Sequence, residues 1–420
     1  MTYEVAIIGA GLSGLGLALA LHQQGIRSTV YESRSAPMNI GGAVMLSPNG
    51  LKVLDALGLY QNIKKKGYNF DLLDFRSVDG HLLETYEFGG TKKYGYQGNR
   101  IYRFELIDAI IAKARMAGIQ LIFNRKFSHV IAETDQDVTW QLTDGSQASA
   151  SILVGADGIH STVRKYLYPE LRPQFTGMVG ITSAVPASQV TSSWGTITKP
   201  ITIMSSDKGA FVVAPQKVDG SELLIGKQKR MPEQTREGWE KVHADKDAAI
   251  AFLQEDAEAF GDIAISATRQ IPTERVNIWP FYIIPKLDRW TSAKRRVVIL
   301  GDSAHAIPPS AGQGINQAFE DIYMFALLLG AANQESKVDM QHALSFWQQH
   351  RQSRVDKVLE LNKQIDLRRM PQSGGGLAGA GVEAVDRAPL RKQEFDLRWL
   401  YESDVEREVE EWVKAQVGGL

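Results

Sequence analysis

The chain has 420 residues, 44% of them hydrophobic, and a formal net charge of −1 at pH 7. This length suits two domains, and the balanced charge provides no basic field for nucleic acid. The absence of cysteine excludes disulfides, thiolate metal sites and redox-active cysteine pairs. No signal peptide and no apolar stretch of membrane-spanning length is recognised, so a cytoplasmic location is predicted. No metal site is predicted.

A glycine-rich motif follows the first predicted strand. The apolar run Val5–Ile8 leads into Gly9, Gly11 and Gly14, in the pattern Gly-x-Gly-x-x-Gly, and then into an apolar helix. In this pattern the glycines permit a tight turn, close approach of the backbone to a pyrophosphate, and close packing of helix on strand. Free N–H groups at the helix N-terminus attract phosphates. The motif predicts a dinucleotide site and fits NAD and FAD alike.

An acidic residue ends the second predicted strand, Ser28–Glu32. An acid at this point can accept hydrogen bonds from an adenosine ribose. The alternative is a glycine-rich turn without a ligand, which leaves the position of Glu32 to chance. Farther on, Gly41–Asn49 contains two adjacent glycines before an apolar run, which suits either backbone held close to a flat ligand or an ordinary loop.

Hydrophobic periodicity and turn residues predict the remaining elements of the first half of the chain. They are a helix at Leu51–Leu59, a hairpin of Phe70–Ser77 and Leu82–Phe88, a helix at Leu106–Ala117, a strand at Leu121–Phe123, and a hairpin of Val138–Leu142 and Gln147–Leu153.

The pattern changes between Gln174 and Trp279, where short β-rich runs surround one helical stretch and predict a second domain with an antiparallel sheet. The runs are Ile201–Met204, Ala210–Ala214 and Glu222–Lys227, and the helical stretch is Lys246–Phe260. Beyond them are predicted a buried strand at Arg295–Leu300, helices at Gln317–Gly330, Met340–Arg369 and Ser403–Val417, and a flexible break at Pro371–Gly376. The Met340–Arg369 helix is expected to turn its apolar residues inward, namely Leu344, Trp347, Val355, Val358 and Leu361.

Another candidate site follows the Arg295–Leu300 strand. Gly301-Asp302 places a carboxylate at the carboxyl end of a buried strand, where α/β sheets bind ligands. The carboxylate of Asp302 could accept hydrogen bonds from a sugar-like chain such as ribityl. Alternatively, Gly301-Asp302 could form an ordinary turn or a helix cap. Gly312–Gly314 opens a long helix, whose N-terminus could face a developing anion such as the edge of a reduced flavin. The position of His305 between two alanines favours a structural role for this side chain over a role as a general base.

These sites, in this order, resemble the class A flavoprotein monooxygenases, the single-component aromatic hydroxylases typified by para-hydroxybenzoate and salicylate hydroxylase. Gly9–Gly14 is similar to their adenosine diphosphate motif, and Tyr102–Leu106 to a segment whose arginine reaches FAD. The other matches are Gly155–Gly158 with Ser161 and Arg164, Gly301–Pro309, Gly312–Gly314, Asn316 and Glu320–Asp321, and a tail, Phe395–Tyr401 with Asp404, that most resembles the fungal salicylate-hydroxylase-like branch.

The resemblance implies an α/β fold. A Rossmann-type FAD-binding domain would comprise residues 1–70, 98–170 and 291–335. A substrate-binding α+β domain on a mostly antiparallel sheet would comprise residues 71–97 and 171–290. Residues 336–420 would form a C-terminal helical region.

The resemblance also implies the site. Asp157 and Arg164 serve both FAD placement and NAD(P)H use in the family, and Pro309 would lie in the pocket wall near the reactive flavin atom. No catalytic residue is assigned. Phe211, Val213 and Tyr282 suit either the lining of the substrate pocket or plain core. The full set of implied cofactor-binding residues is Gly9, Gly11, Leu12, Ser13, Gly14, Glu32, Ser33, Arg34, Gly42, Ala43, Arg103, Asp157, Arg164, Gly301, Asp302, Pro309, Gly312, Gln313, Gly314, Ile315 and Asn316.

The implied activity is FAD-dependent monooxygenation with NADPH or NADH as reductant. Through a flavin C4a-hydroperoxide, one atom of O2 would enter a small aromatic, phenolic or related conjugated molecule, typically as a hydroxyl group. Epoxidation and Baeyer–Villiger-type insertion fit the same motifs, and an FAD-dependent dehydrogenase without oxygen insertion is the alternative on this fold. No nucleic-acid partner is predicted. The identity of the substrate, the choice between NADPH and NADH, and the oligomeric state stay open.

Overall fold

The computed structural model describes residues 3–36, 42–335, 337–369 and 396–418. The predicted break at Pro371–Gly376 lies outside these ranges, as do Gly41 and Phe395 of two predicted segments. None of the described helices has both the length and the apolar character needed to span a membrane.

Eighteen strands and fourteen α-helices are seen in the described residues. The strands are β1 (Glu4–Ile8), β2 (Arg27–Tyr31), β3 (Ala43–Leu46), β4 (Tyr68–Phe70), β5 (Leu72–Ser77), β6 (Leu82–Glu87), β7 (Gly98–Tyr102), β8 (Gln120–Ile122), β9 (Phe127–Glu133), β10 (Val138–Leu142), β11 (Gln147–Ala150), β12 (Ile152–Gly155), β13 (Gln174–Pro186), β14 (Ile201–Ser205), β15 (Gly209–Pro215), β16 (Glu222–Arg230), β17 (Asn277–Ile283) and β18 (Val297–Ile299). The helices are α1 (Leu12–Gln23), α2 (Pro48–Ala56), α3 (Tyr60–Lys66), α4 (Thr91–Tyr94), α5 (Arg103–Met116), α6 (Arg164–Leu167), α7 (Arg236–Ala244), α8 (Lys246–Gln254), α9 (Asp262–Ala267), α10 (Asp302–His305), α11 (Gly314–Gln334), α12 (Met340–Arg369), α13 (Arg398–Tyr401) and α14 (Val405–Gly418).

A five-stranded parallel sheet, in the order β18-β12-β1-β2-β8, forms the first layer. Its central strand β1 is apolar on both faces, because helices cover both sides of a parallel sheet. Helix α1 packs against α5 and α11, and its leucines and alanines are buried accordingly. This arrangement confirms the predicted α/β fold class.

A seven-stranded sheet forms the second layer, in the order β17-β13-β16-β15-β14-β5-β6. Neighbouring strands run antiparallel except β14 and β5, which are parallel. Its strands therefore come from two separate segments, residues 72–87 and 174–283. Between the two layers lies a three-stranded antiparallel sheet, β3-β7-β4.

The helical stretch predicted at Lys246–Phe260 is only partly correct. Helix α8 ends at Gln254, and Asp256 adopts the left-handed conformation with φ 57°. The start of α8 is fixed by Asp245, whose carboxylate accepts a hydrogen bond from the backbone N–H of Ala248 at 3.0 Å. Helices α7 and α9 on either side, and the long strand β13, were not predicted.

The predicted bounds of helix α12 are confirmed, and its five expected inward-facing side chains are buried. Helix α14 begins two residues after the predicted Ser403, because Asp404 caps it by accepting a hydrogen bond from the N–H of Arg407 at 3.1 Å. Helix α12 packs along α11 and reaches the turn Pro309–Ala311, so the C-terminal helices support the loop that precedes α11.

Candidate active site

The three glycine-containing motifs meet at one edge of the parallel sheet. Strands β1, β12 and β18 are neighbours and run in the same direction. Gly9–Gly14, Gly155–Gly158 and Gly301-Asp302 follow their carboxyl ends, which is where open α/β sheets bind ligands. A cleft is therefore built from segments almost three hundred residues apart along the chain.

The geometry of the first motif requires glycine. Gly9 has φ 109°, and a Cβ at this position would lie 2.5 Å from the carbonyl oxygen of Ala156. A Cβ at Gly14 would lie 2.0 Å from the carbonyl oxygen of Gly9. A Cβ at Gly11, in contrast, would have no protein atom within 4 Å, so the surface above Gly11 is open. This cradle fits a pyrophosphate at the N-terminus of α1.

Glu32 organises the rim of the same cradle. Its Oε2 accepts a hydrogen bond from the N–H of Ala10 at 2.9 Å. Its Oε1 accepts from the N–H of Arg34 at 2.9 Å and from the hydroxyl of Ser33 at 3.0 Å. The carboxylate thereby joins the glycine loop to the turn after β2. The side chain of Leu12 is buried in the core, so Leu12 presents only its backbone to the cleft.

Two charged side chains at the cleft have no side-chain hydrogen bond or ion pair anywhere in the described part of the chain: Arg103 and Asp302. Arg103 begins α5, and its N–H donates to the carbonyl of Gly42 at 3.3 Å. Asp302 is exposed and follows Gly301, at which a Cβ would lie 3.0 Å from Oγ of Ser13. Asp302 thus leaves a carboxylate available beside the glycine cradle, and Arg103 leaves a cation available at the end of β7, next to Gly42. A phosphate-containing and polyhydroxylated ligand can use both.

The side chains of Asp157 and Arg164 are occupied within the protein. Asp157 accepts hydrogen bonds from the N–H of Thr162 at 2.6 Å and from the hydroxyl of Ser303 at 3.2 Å. Arg164 is buried and donates to the carbonyl of Ser303 at 2.9 Å. Burial lowers the pKa of Arg164, and the charge of Asp157 opposes that shift. These two residues tie the second motif to the third.

A cavity of about 250 Å³ lies beside the second motif. Four of its lining side chains are basic or imidazole groups, and Nε of Arg164 has no hydrogen-bond partner among the described residues. Burial lowers the pKa of His160, and Arg164 adds to that effect. The chemistry of the cavity favours an anion. Its lining residues are His160, Ser161, Arg164, Lys165, Pro169, Leu171, Arg172 and Pro173.

The side chains of Gln313 and Asn316 hold the loop after β3 against the start of α11. Gln313 Nε2 donates to the hydroxyl of Ser47 at 2.9 Å, and the N–H of Ser47 donates to Asn316 Oδ1 at 3.0 Å. Asn316 Nδ2 donates to the carbonyl of Met45 at 3.0 Å. The N–H groups in the first turn of α11, which begins at Gly314, have no acceptor within the helix and stay available to an anion.

A buried network of charges lies behind the start of α11. Glu320 accepts a hydrogen bond from Arg354 Nη2 at 2.9 Å, and Asp321 accepts from Arg351 Nε at 2.8 Å and from His305 Nε2 at 2.5 Å. Burial favours the neutral acids, but the cations outweigh it and hold the pKa of Glu320 and of Asp321 at about 2. His305 is thus a buried partner of Asp321. Sequence reasoning missed Arg351 and Arg354, although their spacing on α12 puts them on one helix face.

The two faces of the seven-stranded sheet differ. Phe211 and Val213 pack against the helical side, where the rings of Phe211 and Phe260 are 5.7 Å apart. These two residues belong to the core, and the alternative that they line the pocket is wrong. Val212 and Leu224 point to the opposite face and are partly exposed, although they lie in the middle of the sheet. We therefore take this face of the sheet as the more accessible one.

Tyr282 lies at the end of β17. Its hydroxyl accepts a hydrogen bond from Nε1 of Trp239 at 2.8 Å, and its ring centroid is 6.0 Å from that of His160. Tyr282 therefore belongs to the surroundings of the 250 Å³ cavity.

Comparison with known proteins identifies the family of the chain. The model of the FAD binding domain family matches residues 2–361. The 3-amino-4-hydroxybenzoate 2-monooxygenase PtmB3 of Streptomyces platensis is 27% identical, over 84% of this chain and 85% of its own. The FAD-dependent urate hydroxylase of Mycolicibacterium vanbaalenii is 29% identical, over 87% of this chain and 88% of its own. The crystal structure of CtdE in complex with FAD and a substrate has the same fold, with a TM-score of 0.77 and 21% identity over 99% of both chains. The chain therefore belongs to the FAD binding domain family, alongside the FAD-dependent aromatic hydroxylases.

Proposed function

We propose that this protein is a single-component monooxygenase that binds FAD, takes electrons from NADPH or NADH, and inserts one atom of O2 into a small aromatic molecule, typically as a hydroxyl group. The observation that carries the proposal is that the glycine cradle, Gly301-Asp302 and the start of α11 lie together at the carboxyl edge of the parallel sheet. The named substrates of the two relatives, an aminohydroxybenzoate and urate, are small flat rings with oxygen substituents.

The residues of the cleft fit FAD. Gly11 and the first turn of α1 would hold the pyrophosphate, Glu32 the adenosine ribose, and Arg103 and Asp302 the remaining phosphate and ribityl oxygens. The N–H groups at the start of α11 would stabilise negative charge on the flavin ring. When bound, FAD supplies electron transfer and the activation of O2, while the protein supplies orientation and a dry pocket.

The cavity beside the second motif would receive the phosphates of the nicotinamide dinucleotide. Its cationic lining suits phosphate oxygens, and Lys165 and Arg172 are both exposed to solvent. Since Arg164 also holds Ser303, its replacement would disturb the cleft as well.

The decisive experiment is to purify the protein, record its visible spectrum, release the cofactor by heat and identify it. NADPH and NADH oxidation is then followed with a panel of hydroxybenzoates, hydroxybenzamides and phenols, and labelled O2 is traced into the product. The expected result is bound FAD and one labelled oxygen per product. A protein that cannot be reconstituted with FAD refutes the proposal, and substrate oxidation without incorporation of label supports the dehydrogenase alternative.

A further inference from the structure

Arg100, on strand β7, is a buried arginine without a countercharge. Only 6% of the residue is exposed. Its Nη2 donates to Oε1 of Gln216 at 3.1 Å, whereas its Nε has no hydrogen-bond partner among the described residues. Within the same ranges, no carboxylate forms an ion pair with it. Burial lowers the pKa of Arg100 to about 10, which leaves it charged at neutral pH. Such a group is costly to keep unless a ligand completes its interactions.

The other deeply buried arginines of the described chain do have partners. Arg351 and Arg354 pair with Glu320 and Asp321, and Arg164 donates to two carbonyl oxygens. Nε of Arg164 is also without a partner in the described residues, but Arg100 has the fewest contacts of these arginines, a single hydrogen bond to a neutral amide.

One side of Arg100 faces the segments proposed to hold the flavin ring. In the β3-β7-β4 sheet, Arg100 is paired with Met45 and Tyr68, so the three side chains share one face. Met45 packs against the cluster that contains Phe88, and a Cβ at Gly312 would lie 3.8 Å from Cβ of Met45. Arg100 is thus one strand away from the start of α11.

Its other side faces the seven-stranded sheet. Gln216 directly follows β15, and alternation along that strand places it on the same face as Val212 and Ala214. Leu224 is paired with Ala214 and shares this face. Val212 and Leu224, which are partly exposed in mid-sheet, therefore share a face with Gln216, the hydrogen-bond partner of Arg100.

Glu222, the acid beside Gln216, is already engaged. It accepts a hydrogen bond from the hydroxyl of Tyr102, and Lys217 and Arg275 lie 3.8 Å and 3.9 Å from its carboxylate. Gln216 stands between Glu222 and Arg100, because its Nε2 donates to the Tyr102 hydroxyl at 2.5 Å while its Oε1 accepts from Arg100. Gln216 therefore orients the guanidinium without neutralising it.

We propose that Arg100, oriented by Gln216, binds the carboxylate of the substrate, and that the substrates are aromatic carboxylic acids. A planar guanidinium offers parallel N–H donors that match the two oxygens of a carboxylate, and a site shielded from water strengthens such a pair. This inference rests on the proposed function, because it takes the space between the layers as the place where the aromatic ring binds.

The test measures binding to the FAD-loaded protein by isothermal titration calorimetry, without turnover. The ligands are acid–amide pairs: 3-amino-4-hydroxybenzoate, 4-hydroxybenzoate and salicylate, each with its carboxamide. The wild-type protein should bind at least one acid about 10- to 100-fold more tightly than its amide. Arg100→Met should abolish this preference and leave amide binding within about threefold. Arg275→Met, which removes an exposed cation near Glu222, is the matched control and should keep the preference.

A second readout separates ligand binding from a structural role. Removal of an uncompensated buried charge should leave the unfolding temperature of Arg100→Met equal to that of the wild type or higher. A large fall in this temperature, or loss of FAD from the folded variant, overturns the proposal. If Arg100→Met does not fold, Arg100→Gln, which keeps a donor for Gln216, decides the acid–amide comparison.

Other outcomes are equally distinct. A wild-type protein without acid preference for any pair, or a preference that survives in the folded Arg100 variant, overturns the proposal. Arg100-dependent acid binding without oxygen incorporation leaves the anion site standing and refutes the proposed reaction. Hydroxylation of uncharged phenols, without a preference for acids over amides, supports the proposed reaction and refutes the anion site at Arg100.

Discussion

At the scale of single residues, the two carboxylates of the flavin cleft have opposite surroundings. Glu32 accepts three hydrogen bonds from the protein, whereas Asp302 accepts none from the described residues. Glu32 therefore shapes the cradle in the absence of a ligand, and Asp302 is free to serve the ligand alone. Removal of one or the other side chain should therefore have different effects on stability and on FAD affinity.

Asp302→Ala should fold as stably as the wild type and bind FAD about 10- to 100-fold more weakly, because only hydrogen bonds to the ligand are lost. Glu32→Ala should lower the free energy of unfolding by about 1–3 kcal/mol even without FAD, since it leaves the N–H groups of Ala10 and Arg34 unpaired. Thermal unfolding of the apoproteins and FAD titration measure both effects. Full FAD affinity in Asp302→Ala would contradict the assignment.

The anion cavity gives a second prediction at this scale. Lys165→Ala and Arg172→Ala should each raise the KM for NADPH about 10-fold, because a phosphate contact is lost, and leave the FAD content unchanged. Lys65→Ala, at an exposed position of α3, is the control. The assignment fails if steady-state kinetics give the same KM for both cavity variants and the control.

At the scale of elements, helix α12 is joined to α11 by buried charges. Arg351 and Arg354 of α12 meet Glu320 and Asp321 of α11, and Arg354 also donates to the carbonyls of Trp399 and Leu400 in α13. The network fixes three helices behind the loop that opens onto the flavin. A buried charge that loses its partner is strongly destabilising.

Glu320→Gln should therefore lower the free energy of unfolding by about 3–5 kcal/mol. The pH dependence follows from the depressed pKa of Glu320 and Asp321 in the folded state, about 2 for each. Their stabilisation is complete above the unfolded pKa, near 4, and is lost as the pH falls toward 2. Denaturant unfolding between pH 6 and pH 3 should show a steeper loss in the wild type than in Glu320→Gln. Glu410→Gln, on the exposed face of α14, should follow the wild type.

Elements with strong local signals were predictable from the sequence. Strand β1 and helix α1 are continuous apolar runs, and helix α12 has apolar residues at helical spacing on both sides of a polar middle. Strand β13 and helix α7 lack such a pattern, because β13 is half-exposed along much of its length and α7 has no buried residue. Their positions depend on partners distant in sequence, which local periodicity does not register.

At the scale of the whole molecule, the flavin cleft joins three motifs that lie far apart along the chain and follow neighbouring strands of one sheet. FAD should therefore stabilise the entire fold by linkage, by about 2.7 kcal/mol when its free concentration is 100 times Kd. Removal of FAD should lower the unfolding temperature, and added FAD should restore it in a concentration-dependent way. Adenosine diphosphate alone should restore part of it. Identical unfolding of apoprotein and holoprotein would contradict a cofactor shared by the three motifs.

The motifs of the cleft were predictable, but the orientation of their side chains was not. Asp157, Arg164, Gln313 and Asn316 belong to recognisable patterns, yet their side chains hold the protein together. Arg100 belongs to no pattern, and its incomplete coordination is visible only once β7 and the seven-stranded sheet are placed side by side. The cofactor-binding roles given to the motif residues stay predictions.

The position of β18 next to β12 has a consequence for biosynthesis. The glycine cradle leaves the ribosome early, but the strand that completes its edge, and Asp302 behind it, follow only after the whole seven-stranded sheet has been translated. A nascent chain that ends before residue 300 has no complete flavin cleft. Tight cofactor capture is therefore expected only after the segment that contains Asp302 has emerged, when most of the chain has already been synthesised.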